Sequence, residues 1–400
     1  MTTVVKKIPF RQPKDIQCWG HRGASAHLPE NTLASFRAAI LEGADGIESD
    51  VHAASDGVVL MFHDPTLERT TTGKGLIRTQ PWKGVIEHVR TIKEPIQPIP
   101  LFEELVELLM EPPNRHVSLN VDCKMQNDPE RLFPEMARII KNHDQWETLL
   151  APRIILGLWH PLFLRAAYTH LPLLRRYHIG FGIPIARQFF WDACEGFSMC
   201  FPVLMGAEGQ NFLEDCREGG KEVCVWTVNK EDEMRVALSF GIKAVLTDRV
   251  AAFTQVKNEV IQDPTKLQLS GLARYTFPWS DWRYYSLVHV IIFLVQCVFL
   301  QAHDVLSFSL YHSPTTRDYA DFEIISIHAD MTCELSMPIN LYADIIKQSF
   351  FLRTQLDFMR KACYQPGPLV KPDLSEFSSS TASPEVVSLD AQPQAVTVSS

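Results

Sequence analysis

The chain lacks a positive excess: it carries 38 Lys and Arg against 47 Asp and Glu, a formal net charge of −9. Nucleic-acid domains usually present a clustered basic face, so no nucleic-acid partner is expected and any phosphate must be gripped by a few local groups. Cysteine occurs nine times, scattered from Cys18 to Cys363 with no CxxC pair and an odd total. That removes a disulfide framework and a cysteine zinc site, and it suits reduced thiols in a cytosolic compartment. The opening MTTVVKKIPFRQPKD has neither the apolar core nor the small-residue cleavage site of a secretory signal, so export is not expected. The first apolar run ends in HRGAS (21–25) without GxGxxG spacing, which denies the chain a dinucleotide-type doubly wound sheet.

What is present is alternation. QCWGH, NTLASFRAAILEG, DGIESDV, VVLMFH, LFEELVELLM, VSLNVDCK and LFPEMARIIKNH begin a series of short apolar runs and amphipathic stretches that continues to about residue 261. This pattern predicts βαβ units and a mainly parallel sheet. Eight strand-helix rounds, with VVLMFH as an extra strand, predict a TIM (β/α)8 barrel over 14–256. Asp56-Gly57 reads as the turn of a hairpin that sets His63 against the acids of the second strand.

Polar residues fall where a barrel keeps its active site, at the C-terminal ends of strands: His21 and Arg22, Glu48 and Asp50, His63, Asp122 and Lys124, and Asn229. Unpaired charge there is costly, so the accumulation calls for a metal or an anionic ligand. Glu48 and Asp50 are two apart and share a strand face, and Asp122 adds a third oxygen ligand, as Mg²⁺ or Ca²⁺ requires. An isolated ExD pair would be a solvated strand end; its company changes that. His21 and His63 both end strands and suit acid-base work at a phosphorus between them, since imidazole titrates near neutrality. Most of the other histidines, His27, His88 and His143 among them, read as structural or exposed.

Arg22 offers a planar fork and Lys124 a point charge for phosphate oxygens, although either alone would be an ordinary ion-pair partner. Asn31 reads as the N-cap of the first helix, with Thr32 opening it. Trp226, late on the seventh strand, fits a wall against the non-phosphate part of a substrate and core packing equally well. Asp248 reads as a rim residue with no evident acid-base partner.

The stretch WGHRGASAHLPENTLASFRAAILEGADGIESDVHAASDGVVLMFHDPTLERTTTG resembles the glycerophosphodiester phosphodiesterase signature, and SLNVDCK, VCVWTVN and AVLTDR resemble that family's later strand motifs. The resemblance covers about 17–256. It implies metal ligation by Glu48, Asp50 and Asp122, acid-base roles for His21 and His63, and phosphate contacts from Arg22 and Lys124. The family more often has Glu where Asp122 stands and Pro where Val250 stands. It also implies attack by the glycerol 2-hydroxyl on its own phosphorus, giving a cyclic phosphate that water opens.

From Tyr284 through Ala302 runs YYSLVHVIIFLVQCVFLQA, nineteen residues without a formal charge. As a helix it would span roughly 28 Å, close to the ~30 Å hydrocarbon core. Trp279, Trp282, Arg274 and Arg283 precede it, so 284–302 is expected to anchor the chain to a membrane with the barrel facing the cytosol. A helix packed on the barrel and a half-inserted hairpin are the alternatives. The segment PIPLFEELVELLMEPPNRHVSLNVDCKMQNDPE and this apolar stretch are similar to a fungal branch, phosphatidylglycerol phospholipase C. That branch implies cleavage of phosphatidylglycerol to diacylglycerol and glycerol phosphate; the expected location is an intracellular membrane, the endoplasmic reticulum, a lipid droplet or the mitochondrial surface. The competing expectations are a soluble glycerophosphodiester phosphodiesterase and a catalytically silent, membrane-tethered lipid-binding barrel. Residues 304–363 show no motif, and 366–400, rich in Pro and Ser, read as a disordered tail.

Overall fold

A computed structural model describes residues 7–269; the segments 284–302, 304–363 and 366–400 lie outside them. Nine strands form one sheet: β1 (Gln17–His21), β2 (Gly46–Ala53), β3 (Val59–Met61), β4 (Ser118–Cys123), β5 (Ile154–Leu158), β6 (Arg175–Gly180), β7 (Gly196–Cys200), β8 (Glu222–Trp226) and β9 (Ala244–Thr247). Around the sheet β1 pairs with β9, then β8 down to β4, then β2, and β2 pairs with β1. Those eight strands are parallel and close into the predicted TIM barrel, while β3 is antiparallel on β2 outside the ring. The turn to β3 runs through Gly57 at φ 88°, with its N–H donating to Ala54 O, as Asp-Gly predicts.

The helices are α1 (Leu33–Leu41), α2 (Phe102–Met110), α3 (Pro129–Lys141), the single turn α4 (Trp146–Leu149), α5 (Leu162–His170), the short α6 (Ile183–Ile185) running into a π-helical turn at Ala186–Phe190, α7 (Ala207–Glu218), α8 (Glu231–Leu238) and α9 (Val250–Gln262). In α3 the apolar residues Leu132, Phe133, Met136, Ala137, Ile139 and Ile140 repeat at helical spacing and are buried, and Phe133 meets Phe163 of α5 edge-on. The barrel interior holds Trp19, Ile155, Tyr177, Cys224, Ala244 and Leu246, large side chains against small ones. Beyond the predicted 14–256, Ile8 and Arg11 add backbone hydrogen bonds to Arg217 and Gly241, and α9 continues to Gln262.

Between β3 and α2 the chain makes a long excursion with its own small core, Leu67, Ile77, Ile86 and Ile99 packing on Ala54, Leu60 and Phe62. The Lys93 ammonium pins it to the loop after β1 by donating to the carbonyls of Ser25, Ala26 and Leu28. Among the described residues no helix is long and apolar enough to cross a membrane.

Candidate active site

Strand register assembles the site. Across β1 and β2, His21 stands opposite Glu48; across β2 and β4, Asp50 stands opposite Asp122. Glu48, Asp50 and Asp122 are thus brought together, all buried, with ligand oxygens within 4.8 Å of one another. Three carboxylates that close cannot all ionise cheaply. Burial, then Asp50 and Asp122, pushes Glu48 well above the usual carboxylate range. Burial works in the same direction on Asp50, but Lys124 and Arg22 outweigh it and hold that carboxyl well below. A divalent cation fits this set: the donors are hard oxygens from rigid strands, and its charge would offset the burial and the neighbouring acids that raise Glu48.

The two cations predicted to meet phosphate are engaged by acids. Lys124 Nζ lies 2.7 Å from Asp50 Oδ1 and 2.7 Å from Asp122 Oδ2. Arg22 donates to Glu30 at 3.1 Å, with its Nε 3.4 Å from Asp50 Oδ2. That buried Nε has no hydrogen-bond partner. Arg22 adopts a left-handed backbone at φ 57°, and its amide reaches back to the Glu48 carbonyl at 2.8 Å. Gly23 follows at φ 82°, where a Cβ would press on Ser35 at the start of α1.

Each predicted histidine is oriented by a carboxylate. His21 Nδ1 is 2.6 Å from Asp248 Oδ1, which leaves Nε2 facing Glu48, 3.8 Å from its Oε2. His63 Nδ1 is 2.7 Å from Asp64 Oδ1. Burial, reinforced by Arg22 and Lys124, pushes His63 down to about 3, so its ring is neutral in this environment. Asp64 also receives Arg69, which donates on to Glu30 at 2.6 Å, so a continuous polar chain links His63 to Arg22. Trp226 is half-buried: its indole donates to Ser198 O at 2.9 Å, and its ring meets Trp159 and Phe181 at centroid distances of 5.9 and 6.5 Å. It also packs on the barrel-interior cluster, as the core reading expects.

Four groups take roles here that their sequence context does not assign them. Asp248 is the His21 partner, and Asn229 steadies it at 2.6 Å. Asp64 had a visible signal, its place directly after His63. Trp159 donates to Asp122 Oδ1 at 2.7 Å. Asn31 is a correction: Thr32 is the N-cap of α1, accepting from Ser35 N at 3.2 Å, while Asn31 turns at φ 56° and donates to Asp50 Oδ2 at 2.7 Å.

Known proteins resemble this chain in sequence and in fold. A curated glycerophosphodiester phosphodiesterase of Caldanaerobacter subterraneus subsp. tengcongensis is 26% identical over 243 residues, 57% of this chain and 92% of that protein. One from Bacillus altitudinis is 24% identical over 249 residues, 60% of this chain and 98% of the relative. Among solved structures, an Oleispira antarctica phosphodiesterase in complex with the product sn-glycerol-3-phosphate superposes with a TM-score of 0.54 at 25% identity, covering 60% of this chain and 96% of that one. The sequence profile of the glycerophosphoryl diester phosphodiesterase family matches residues 21–252, from the first histidine to the start of α9. The chain belongs to the glycerophosphoryl diester phosphodiesterase family and is a phosphoric diester hydrolase.

Proposed function

We propose that this chain hydrolyses glycerophosphodiesters to glycerol 3-phosphate and an alcohol, using one divalent cation held by Glu48, Asp50 and Asp122. The observation that carries the reading is the pair of carboxylate-oriented histidines, with His21 Nε2 turned toward the acid cluster 3.8 Å away. When bound, Mg²⁺ or Ca²⁺ would stabilise charge developing on the phosphoryl oxygens. The side chains divide the remaining work. His63, kept neutral, accepts the proton of the glycerol 2-hydroxyl as that oxygen bonds to phosphorus. His21 donates a proton to the departing alcohol oxygen as its bond to phosphorus breaks. Water then opens the cyclic phosphate with the two histidines in exchanged roles. Arg22 offers its buried Nε–H to a phosphate oxygen, and Lys124 holds two of the acids in register while facing the same oxygens.

Between the two substrate readings, the curated relatives favour the soluble diester over the lipid, reversing the preference drawn from the apolar stretch. Phosphatidylglycerol is the finer reading. Its support is the aromatic wall of Trp159, Phe181 and Trp226, together with 284–302, whose proposed role is to hold the chain at an intracellular membrane. The deciding experiment offers the purified full chain glycerophosphocholine in solution and phosphatidylglycerol vesicles in parallel, with and without chelator. Chelator-sensitive release of glycerol 3-phosphate from the soluble diester is expected. Turnover of vesicles alone would move the substrate to the lipid, and cleavage of neither at any metal concentration would defeat the proposal.

A further inference from the structure

We propose that Trp159 is a positioning residue that locks the Asp122 carboxylate in the orientation a divalent cation needs. The inference rests on the metal-centre reading above and goes beyond it by assigning a role to a residue outside the acids.

The register explains how an indole comes to lie there. Asp122 of β4 stands opposite Gly157 of β5, so the neighbouring strand offers no side chain at that level. Trp159 follows β5 directly, two residues beyond Gly157, and its indole reaches across to the Asp122 carboxylate at the end of β4. Its Nε1–H donates to Asp122 Oδ1 at 2.7 Å, while the other oxygen, Oδ2, accepts from Lys124 at 2.7 Å. With a donor on each oxygen, rotation of the carboxylate about its terminal bond is arrested. Each oxygen retains a second lone pair for a cation.

The two donors differ in kind. The Lys124 ammonium sits on two acids as a charge and opposes a metal there electrostatically. The indole N–H is neutral, so it orients Asp122 without competing for the site. Its direction is not set by the hydrogen bond alone, because Phe181 and Trp226 pack edge-on against the ring at 5.8 and 5.9 Å. Asp50 has an equivalent neutral donor in Asn31 at 2.7 Å. Two of the three acids are thus each aimed by an uncharged N–H, the arrangement by which outer groups tune a metal site.

Trp159→Phe keeps a ring on Phe181 and Trp226 but removes the donor. Calorimetric titration of Mg²⁺, and separately of Ca²⁺, into the wild type and this variant should show affinity weakened by roughly 10- to 100-fold, the usual effect of removing an outer partner of a metal ligand. A role confined to substrate packing would leave metal affinity unchanged. Equal affinities in the two proteins would overturn the proposal while leaving the metal centre intact; a wild type that binds neither ion would sink both. A second measurement needs no variant to fold. In the wild type the Trp159 indole N–H resonance should exchange slowly with solvent and shift along the same binding curve that calorimetry gives. An indole that stays unmoved through saturation would equally overturn the assignment.

Discussion

The two ends of the barrel are built from the same residue types in opposite proportion. At the N-terminal end, Glu222 opens β8 and receives Arg11 at 2.9 Å, Arg175 at 2.7 Å, Lys243 at 2.9 Å and the Tyr177 hydroxyl. One acid there faces three cations and a phenol. At the C-terminal end three acids share Lys124 and Arg22, and Arg22 is already divided with Glu30. A saturated carboxylate lowers the free energy of the fold, whereas an undersupplied cluster raises it and leaves room for a ligand's charge. The difference separates an end that holds the barrel together from an end that does chemistry.

Substitutions at the two ends should therefore have separable consequences. The largest is expected at the mouth. His63→Ala should lower kcat by roughly 10²- to 10⁴-fold while the thermal midpoint stays near wild type, because a strand-end ring contributes little to the core; steady-state kinetics with a melting curve decides, and a variant that loses its fold would erase the distinction. Glu222→Gln should do the reverse. Breaking a largely buried ionic network costs about 3 kcal/mol, read by urea unfolding, with kcat preserved in the folded fraction.

Asp248→Asn tests whether the His21 partner acts through orientation. Losing a charge-assisted hydrogen bond of about 1.5–3 kcal/mol should lower kcat by roughly 10- to 100-fold and leave KM nearly unchanged. An unaltered kcat would return Asp248 to the rim role that the sequence suggests.

The smallest effect belongs to neither end. His178 on β6 stacks on Phe190 at 3.9 Å, its Nδ1 donates to Leu158 O at 3.0 Å, and burial pushes it down to about 3. The unfolded chain binds its proton near pH 6.5 and the folded chain does not, so stability is lost as pH falls from about 6.5 toward 3. At pH 5 the wild type should have lost about 2 kcal/mol more than His178→Phe, relative to each protein at pH 7. Urea midpoints at the two pH values measure this, and parallel losses would place the acid sensitivity elsewhere.

How much of this was legible depends on the distance between partners. Glu48, Asp50, Asp122 and the two histidines could be read because each ends an apolar run, and the two-residue period of a strand fixes the face of its acids. Asp248 could not be paired with His21, since 227 residues separate them and only barrel closure between β1 and β9 brings them together. Asn31 was misread because a local capping rule competed with a tertiary one. Thr32 satisfies the helix terminus equally well, which frees Asn31 to serve Asp50. Trp159 gave no sign, because an aromatic closing an apolar run looks the same whether or not its N–H meets a carboxylate.

The barrel itself supplies only one of the two histidines. His21 ends a strand of the closed ring, whereas His63 arrives just after β3, an antiparallel ribbon laid outside it. The proposed acid-base pair is thus split between a ring that eight strands hold closed and an accessory ribbon fastened by its pairing with β2, its own small core and the Lys93 clasp. Under the proposed mechanism, trimming the ribbon would leave the acids of β2 and β4 on the ring and remove one of the two proton-transfer groups. The candidate cation ligands all lie on the ring, whereas the two histidines are divided between ring and ribbon.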